Sequence, residues 1–113
     1  MRFDNLKIVG IIPIMIYTLT TIANHGKNAI RNKRFWGYCL TEADALNAIR
    51  DNTDGMENSL YDYLVLETYE PGINAMATSE RWFKWGLATK DWEVWYEIDK
   101  PAWSNGIVNW AMV

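Results

Sequence analysis

The stretch RFWGYCLTEADALNAIRDN, residues 34–52, decides the fold, because the spacing of its apolar residues changes partway along it. Over residues 34–40, Phe35 and Cys39 fall on one face and Trp36 and Tyr38 on the other. This alternation has the period of a β-strand. The first half of the stretch therefore predicts a strand.

The second half of the stretch has the spacing of a helix. Ala45, Leu46 and Ile49 fall on one side of a helical turn, which indicates an amphipathic helix that ends near residue 52. Thr41 is a suitable N-cap, with Asp44 three residues later in a near capping box. A strand that leads directly into a helix is thus expected here.

Further strands are predicted on both sides of this unit. Alternating apolar and aromatic residues predict strands at residues 6–12, 15–23, 61–69, 81–86 and 92–98. Pro13 separates the first of these as an edge or arm-like strand, and the last two form a hairpin after an Ala/Ser/Thr loop. The sequence predicts an α+β fold: an antiparallel or mixed β-sheet of about five to six strands with one main α-helix packed on one face.

The length of 113 residues predicts a single domain, residues 1–113. Residues 1–14 are a possible N-terminal extension or edge strand, since Met15 is a second potential start. The apolar tail, residues 103–113, is expected to pack against the sheet. A chain this short buries a limited core, so we expect a homo-oligomer.

Charge and cysteine content exclude several functions. The net charge of −3 argues against binding of long nucleic acid, although Lys27, Arg31, Lys33 and Arg34 form one local basic segment. Residues 8–23 are apolar but too short and interrupted to cross a bilayer, so no membrane contact is expected. One cysteine and one histidine predict no disulfide, no metal set and no cofactor, in a reducing cytoplasm.

Tryptophan is the most distinctive component. Of seven tryptophans, five lie between residues 82 and 103. Strand alternation predicts that Trp82 and Trp85 point to opposite faces, as do Trp92 and Trp95, so that one of each pair faces outward. An outward indole would serve an oligomer interface, stack on a ligand or cover the C-terminal tail, and filling the core of a twisted sheet is a further alternative.

Signs of catalysis are weak. Cys39 and His25 could form a nucleophile pair, but Cys39 alternates with aromatic residues and is interpreted as a small buried hydrophobe. Glu57, Asp62 and Glu67 could act as acid and base, yet their spacing does not distinguish them from surface acids. We therefore expect a binding protein with no catalytic residues.

The basic segment and the aromatic residues predict a site for a phosphorylated, base-bearing ligand. Guanidinium and ammonium groups bind phosphate oxygens, and aromatic faces stack on a base or ribose. The phosphate-binding candidates are Arg31, Lys33, Arg34 and Arg81, the stacking candidates are Trp36, Tyr38 and Trp85, and Asn24 and His25 are candidates for polar contacts. The alternative is that the basic segment is a solvated loop that binds no ligand.

Several short motifs carry a resemblance to a protein family. They are R-x-W-G-Y at residues 34–38, T-x-x-x-A at residues 41–45 and Y-x-Y-x-V-x-E at residues 61–67, followed by W-F-K-W at residues 82–85. With these motifs the chain resembles small accessory proteins encoded by phages and prophages of anaerobic gut bacteria. An N-x-x-D-x-x-E pattern is displaced by one residue at Asn52.

The resemblance implies an anti-defence function. Some such phage proteins sequester cyclic or ADP-ribose-type nucleotide signals of host immunity, and others bind a defence protein directly. The first hypothesis is a sponge for a nucleotide-derived immune signal in the host cytoplasm, acting without catalysis. The second is a protein-interaction module that inhibits a host defence protein, with tryptophans as hot spots. The third is a hydrolase of the same signals.

Overall fold

One antiparallel sheet forms the framework of the computed structural model, which describes residues 14–24, 32–57, 61–73, 75–88 and 92–112. Its strands are β1 (Ile16–Ala23), β2 (Asn32–Cys39), β3 (Tyr63–Tyr69), β4 (Ala77–Leu87) and β5 (Glu93–Ile98). They lie side by side in the order β2-β1-β3-β4-β5. With the helix α1 (Glu42–Arg50) between β2 and β3, the chain has the predicted α+β fold.

The helix begins where the sequence predicts. The Thr41 side chain accepts a hydrogen bond from the backbone N–H of Asp44 at 3.1 Å, which satisfies one of the free donors of the first turn. Ala45 and Ile49 are buried against the sheet. The helix ends at Arg50, two residues before the predicted end.

Helix α1 covers the first face of the sheet. The core on this face contains Leu19 of β1, Leu64 and Leu66 of β3, and Phe83 of β4, packed together with the two buried helix residues. Trp95 of β5 belongs to the same cluster and is only 7% exposed. We call this side of the sheet the helix side.

The second face is covered by the chain that follows β5, which we call the tail, residues 101–112. On this tail side, Val65 and Trp82 pack with Trp110. Trp82 contacts the rings of Trp103 and Trp110 edge to face, with centroids 5.7 and 5.4 Å away. The prediction of a packed tail is confirmed for these residues.

Because both faces are covered, one prediction about tryptophan needs correction. Trp82 and Trp85 do lie on opposite faces, yet neither is exposed, since Trp82 is 1% exposed beneath the tail and Trp85 is half-buried. In the other pair, Trp92 is 59% exposed and Trp95 is buried. One tryptophan faces outward in the second pair only.

Strand β4 is longer than predicted. It begins at Ala77, so most of the expected Ala/Ser/Thr loop is strand. The hydroxyl of Thr78 donates to the carbonyl of Thr68 at 3.2 Å, and the register shifts between Thr68 and Tyr69. Small hydroxyl residues thus extend this strand past a bulge. The predicted strand at residues 6–12 lies outside the described residues.

A buried carboxylate attaches the tail to the sheet. Glu67 of β3 is 0% exposed, and its carboxylate accepts hydrogen bonds from the backbone N–H groups of Trp110 at 2.9 Å and Ala111 at 3.0 Å. The hydroxyl of Tyr69 donates a third bond at 3.0 Å. The spacing of the acids in the sequence did not distinguish Glu67 from surface acids, whereas the structure shows that it is buried.

Two further contacts fix the tail. The Nζ of Lys33 donates to the carbonyl oxygen of Trp110 at 3.1 Å. The side-chain oxygen of Asn109 accepts from the backbone N–H of Ala77 at 2.8 Å. Irregular backbone does not form the regular hydrogen bonds of a helix or a sheet. Side chains therefore supply the hydrogen bonds at these points.

Replacing Glu67 by alanine should destabilise the fold. Glu67→Ala leaves the Tyr69 hydroxyl and two amides without their acceptor, and we expect it to lower the free energy of unfolding by about 2–4 kcal/mol. Glu70→Ala, at an exposed neighbouring glutamate, should change it by less than about 0.5 kcal/mol. Urea unfolding followed by tryptophan fluorescence measures both, and equal effects would contradict the role given to Glu67.

Glu67 should also give an unusual dependence of stability on pH. Burial raises the pKa of Glu67 above its ordinary value of 4.5, and this effect exceeds the opposing effect of its hydrogen bonds. The folded protein then binds this proton more tightly than the unfolded chain does. Lowering the pH through the raised pKa of Glu67 therefore stabilises the fold. We expect the difference in unfolding free energy, wild type minus Glu67→Gln, to rise as the pH is lowered towards 4.5, the ordinary pKa of a glutamate. A difference that falls would reverse the assigned shift.

Candidate functional site

Strand β2 is an outer strand of the sheet and carries exposed aromatic residues. Phe35 lies opposite Thr20, and Tyr38 lies opposite Thr18, which puts both on the tail side. They are 49% and 63% exposed, and Leu40, the residue after the strand, is 59% exposed. The tail covers the centre of the sheet, but it leaves these side chains open to solvent.

A β-bulge divides strand β2. Leu19 of β1 pairs with Gly37 and its neighbour Thr20 pairs with Phe35, so Trp36 is an extra residue. Gly37 has a φ of +135°, which an L side chain rarely adopts, and this explains glycine here. The bulge turns Trp36 to the helix side, where its indole N–H donates to the hydroxyl of Thr21 at 2.6 Å.

The guanidinium group of Arg34 stacks on the indole of Trp36, with its carbon 3.9 Å from the ring centroid. Arg34 pairs with Thr21 across the strands and is itself exposed. The structure therefore brings together two of the predicted ligand-binding residues. It leaves the cation accessible beside an aromatic face.

A small pocket lies next to this pair, between β2 and residues 48–56, which include the end of α1 and the turn after it. Its volume is about 160 Å³. The lining residues are Leu19, Trp36, Gly37, Tyr38, Cys39, Ala48, Thr53, Asp54 and Met56. Most of them are apolar, so the pocket suits an apolar group.

Cys39 lines this pocket and is half-buried rather than fully buried. Burial, reinforced by the nearby charge of Asp44, raises the pKa of the Cys39 thiol. A thiol with a raised pKa is a poor nucleophile at neutral pH. The expectation that Cys39 acts as a small hydrophobe agrees with its contacts to the core of the helix side.

The other predicted phosphate ligands are engaged elsewhere. Lys33 points to the tail side and binds the carbonyl of Trp110. Arg81 donates two hydrogen bonds to Glu97, at 2.8 and 2.9 Å, and a third to Glu42 at 3.2 Å. The hydrogen bond to Glu97 is the main cause of the raised pKa of Arg81. A guanidinium group shared by two carboxylates is a poor phosphate ligand.

Trp85 lies in a different environment from Trp36. It lines a cleft of about 360 Å³ together with Tyr61 and the carboxylates of Glu57, Asp62 and Glu93. Its ring packs edge to face on Trp95 at 5.3 Å. Three carboxylates disfavour an anionic phosphate, so the predicted combination of Trp85 with phosphate-binding cations is not present there.

Asn24 is 1% exposed, and its backbone N–H donates to the carboxylate of Asp62 at 3.1 Å. It holds the end of β1 against the start of β3. His25 and Arg31 lie outside the described residues. The nine predicted residues therefore do not form one site: Lys33 and Tyr38 lie on the tail side, and Arg34 and Trp36 on the helix side.

The three candidate acids are also separated. Glu57 and Asp62 line the same cleft, whereas Glu67 is buried on the tail side. The side-chain N–H of Asn52 donates to Glu57 at 3.0 Å, and its oxygen accepts from the indole of Trp95 at 3.0 Å. Glu57 is thus fixed in place by a hydrogen bond. Among described residues, no group of three or more His, Cys, Asp or Glu side chains is arranged to hold a metal ion.

Sequence reasoning did not identify the pocket beside β2. It requires the bulge, which follows from the pairing of β2 with β1, and it requires the turn at residues 53–56, which is remote in sequence. The glycine between Trp36 and Tyr38 was the available signal, since an isolated glycine within a strand often marks a bulge. Phe35 and Leu40 were likewise not selected.

Comparisons with known proteins give no match: no protein family, curated protein or solved structure matches this chain. In the part of the chain that the structure describes, no helix has the length and apolar character needed to cross a membrane. The site must therefore be interpreted from its own geometry.

Arg81 should contribute to stability through its forked hydrogen bonds. Lysine keeps the charge but loses the bidentate geometry, so we expect Arg81→Lys to lower the free energy of unfolding by about 1 kcal/mol. Arg50→Lys is the matched control, because Arg50 pairs with its neighbour Asp51 and its side chain is 68% exposed. Urea unfolding measures both variants. Equal stability of the Arg81→Lys variant and the wild type would show that the three-way contact is weak.

Proposed function

We propose that this protein is a non-catalytic interaction module that binds an extended segment of a partner protein along the outer edge of β2. The observation that carries this proposal is an edge strand with exposed apolar side chains. In the described part of the chain, β2 pairs with β1 on one side only, and it presents Phe35 and Tyr38 to solvent.

An unpaired strand edge is a template for further pairing. Its outward N–H and C=O groups form main-chain hydrogen bonds with an added strand, and side-chain pockets supply specificity. Strand β2 has eight residues, which is long enough for such an addition. Aromatic residues at the surface provide the contact area that typically dominates binding energy.

The two edges of the sheet differ in a way that supports β2 as the contact. Strand β5, at the other edge, carries the exposed carboxylates of Glu93 and Glu97. Charged residues are a common means of protecting a strand edge from pairing. Strand β2 also carries two charged residues, but Lys33 binds the tail and Arg34 stacks on Trp36, and exposed aromatic residues lie beside them.

The phage-type motifs of the sequence supply a biological setting for this proposal. In that setting the partner is a defence protein of the host cell, and binding at β2 inhibits it directly in the cytoplasm. Self-association through the same edge would make the proposed homo-oligomer. It would compete with the partner for β2.

Sequestration of a nucleotide immune signal is the second candidate, and the stack of Arg34 on Trp36 supports it. A cation beside an indole is able to hold a phosphate and a base. Arg81 and Trp85 are not part of this version of the site, because carboxylates surround both. The ligand would instead lie on the helix side of β2.

A charge placed on the exposed face of β2 should abolish partner binding. We expect Tyr38→Lys to lose capture of the partner from a lysate of the cells that express the gene, because lysine opposes burial at a strand edge. Leu87→Lys is the control, since Leu87 is 66% exposed at the end of β4. Affinity capture followed by measurement of the mass of the complex compares the two.

A thermal-shift measurement, combined with this capture experiment, separates the two candidates. Cyclic di- and trinucleotides and ADP-ribose derivatives should leave the Tm of the wild type unchanged if the partner is a protein. A rise in Tm with one of them, with the compound released intact on heating, would replace the interaction module by the sponge. Capture that is equal in both variants would exclude β2 as the contact.

A further inference from the structure

The pocket beside β2 shares lining residues with the strand to which a partner segment would add. Residues 36–39 of β2 form one wall, and Ala48, Thr53 and Met56 contribute to the other. An added strand runs next to these same β2 residues, and every second side chain of it points to the helix side. The pocket is therefore adjacent to the path of a docked segment.

The size of the pocket limits what it accepts. A cavity of about 150 Å³ is known to hold a benzene molecule, so a pocket of about 160 Å³ holds one medium-sized side chain. Leu19, Trp36 and Met56 give it an apolar lining. A leucine, methionine or phenylalanine side chain suits this space, and a phosphorylated nucleotide does not.

Charge on the same side gives a second requirement. Arg34 is exposed on the helix side, and residues 32–39 contain no acidic residue; the carboxylate in the pocket lining is that of Asp54, on the turn after α1. The chain as a whole has a net charge of −3, so β2 is a local exception. A partner segment that carries a carboxylate beside Arg34 would form a charge-assisted hydrogen bond.

We propose that β2 recognises an extended acidic–apolar segment of another protein, with one apolar side chain in the pocket and one carboxylate on Arg34. Both contacts lie on the helix side, and strand side chains alternate between faces. The acid and the apolar anchor are therefore separated by an even number of positions, two or four. This inference rests on the proposed function and specifies its partner.

A library of random nonapeptides displayed on yeast tests the inference. Peptides enriched on the wild type should share an apolar residue at an even spacing from an aspartate or glutamate. Peptides selected on Arg34→Glu should lose the acid and keep the apolar residue. Enriched peptides without the even acid–apolar spacing would overturn the inference.

Filling the pocket should remove the apolar anchor. Ala48→Leu places a larger side chain in the pocket and keeps a good helix former, and we expect it to weaken binding of the enriched peptides about ten-fold or more. Ala43→Leu is the control, because Ala43 lies on α1, is exposed and does not line the pocket. It should bind as the wild type does.

The outcomes separate this inference from the proposed function. If no peptide is enriched on the wild type, strand docking itself fails. If enriched peptides bind Ala48→Leu and the wild type equally, docking at β2 stands and the pocket is not used. If sedimentation shows a dimer of the wild type that shields Cys39 from alkylation, a second copy occupies the edge and the inference is overturned.

A measurement on the wild type covers the case in which Ala48→Leu fails to fold. Cys39 is the only cysteine of the chain and lines the pocket, so its rate of alkylation by a maleimide reports whether the pocket is occupied. An enriched peptide should slow this reaction about ten-fold at saturation. An unchanged rate would mean that the peptide binds without entering the pocket.

Discussion

The buried carboxylate of Glu67 is the central polar contact between the tail and the sheet. A sheet with apolar residues on both faces needs a cover on each, and the chain has a helix for only one of them within its described residues. The tail that covers the other face is largely irregular, so its amides need acceptors from elsewhere. Glu67 accepts from two of these amides, and its three hydrogen bonds offset part of the desolvation of its charge.

Helix α1 and the tail each leave part of β2 uncovered, and this makes β2 the candidate contact surface. On the tail side, the contact of Lys33 with Trp110 is the point where the tail meets β2, and Phe35 and Tyr38 remain exposed. On the helix side, α1 and the turn after it leave a pocket next to the bulge. Strand β2 is thus supported by the core, yet it keeps much of its own side-chain surface available.

The fold was predictable to the extent that it depends on local sequence. The N-cap at Thr41 and the strand around Trp36 depend on a few neighbouring residues, and both elements were identified correctly. The predicted faces of that strand were wrong, because the bulge places Phe35 and Tyr38 on the tail side and Trp36 and Cys39 on the helix side. The burial of Glu67 was not predictable, because it depends on a tail more than forty residues away in sequence. The ion pairs of Arg81 were not predictable for a similar reason, since its partners Glu42 and Glu97 come from two other elements. Strand alternation assigned Trp82 and Trp85 to opposite faces but did not reveal that both faces are covered.

The difference between the two edges of the sheet has a consequence for stoichiometry. A sheet with two open edges is able to add strands repeatedly, which leads to fibres. Here the exposed carboxylates of β5 oppose addition at one end of the sheet, which leaves β2 as the edge proposed for pairing. If a partner strand adds at β2 as proposed, growth of the sheet ends after one addition. The proposed complex would then be closed, with one partner for each copy of the chain, and would give a saturable titration in place of open-ended assembly.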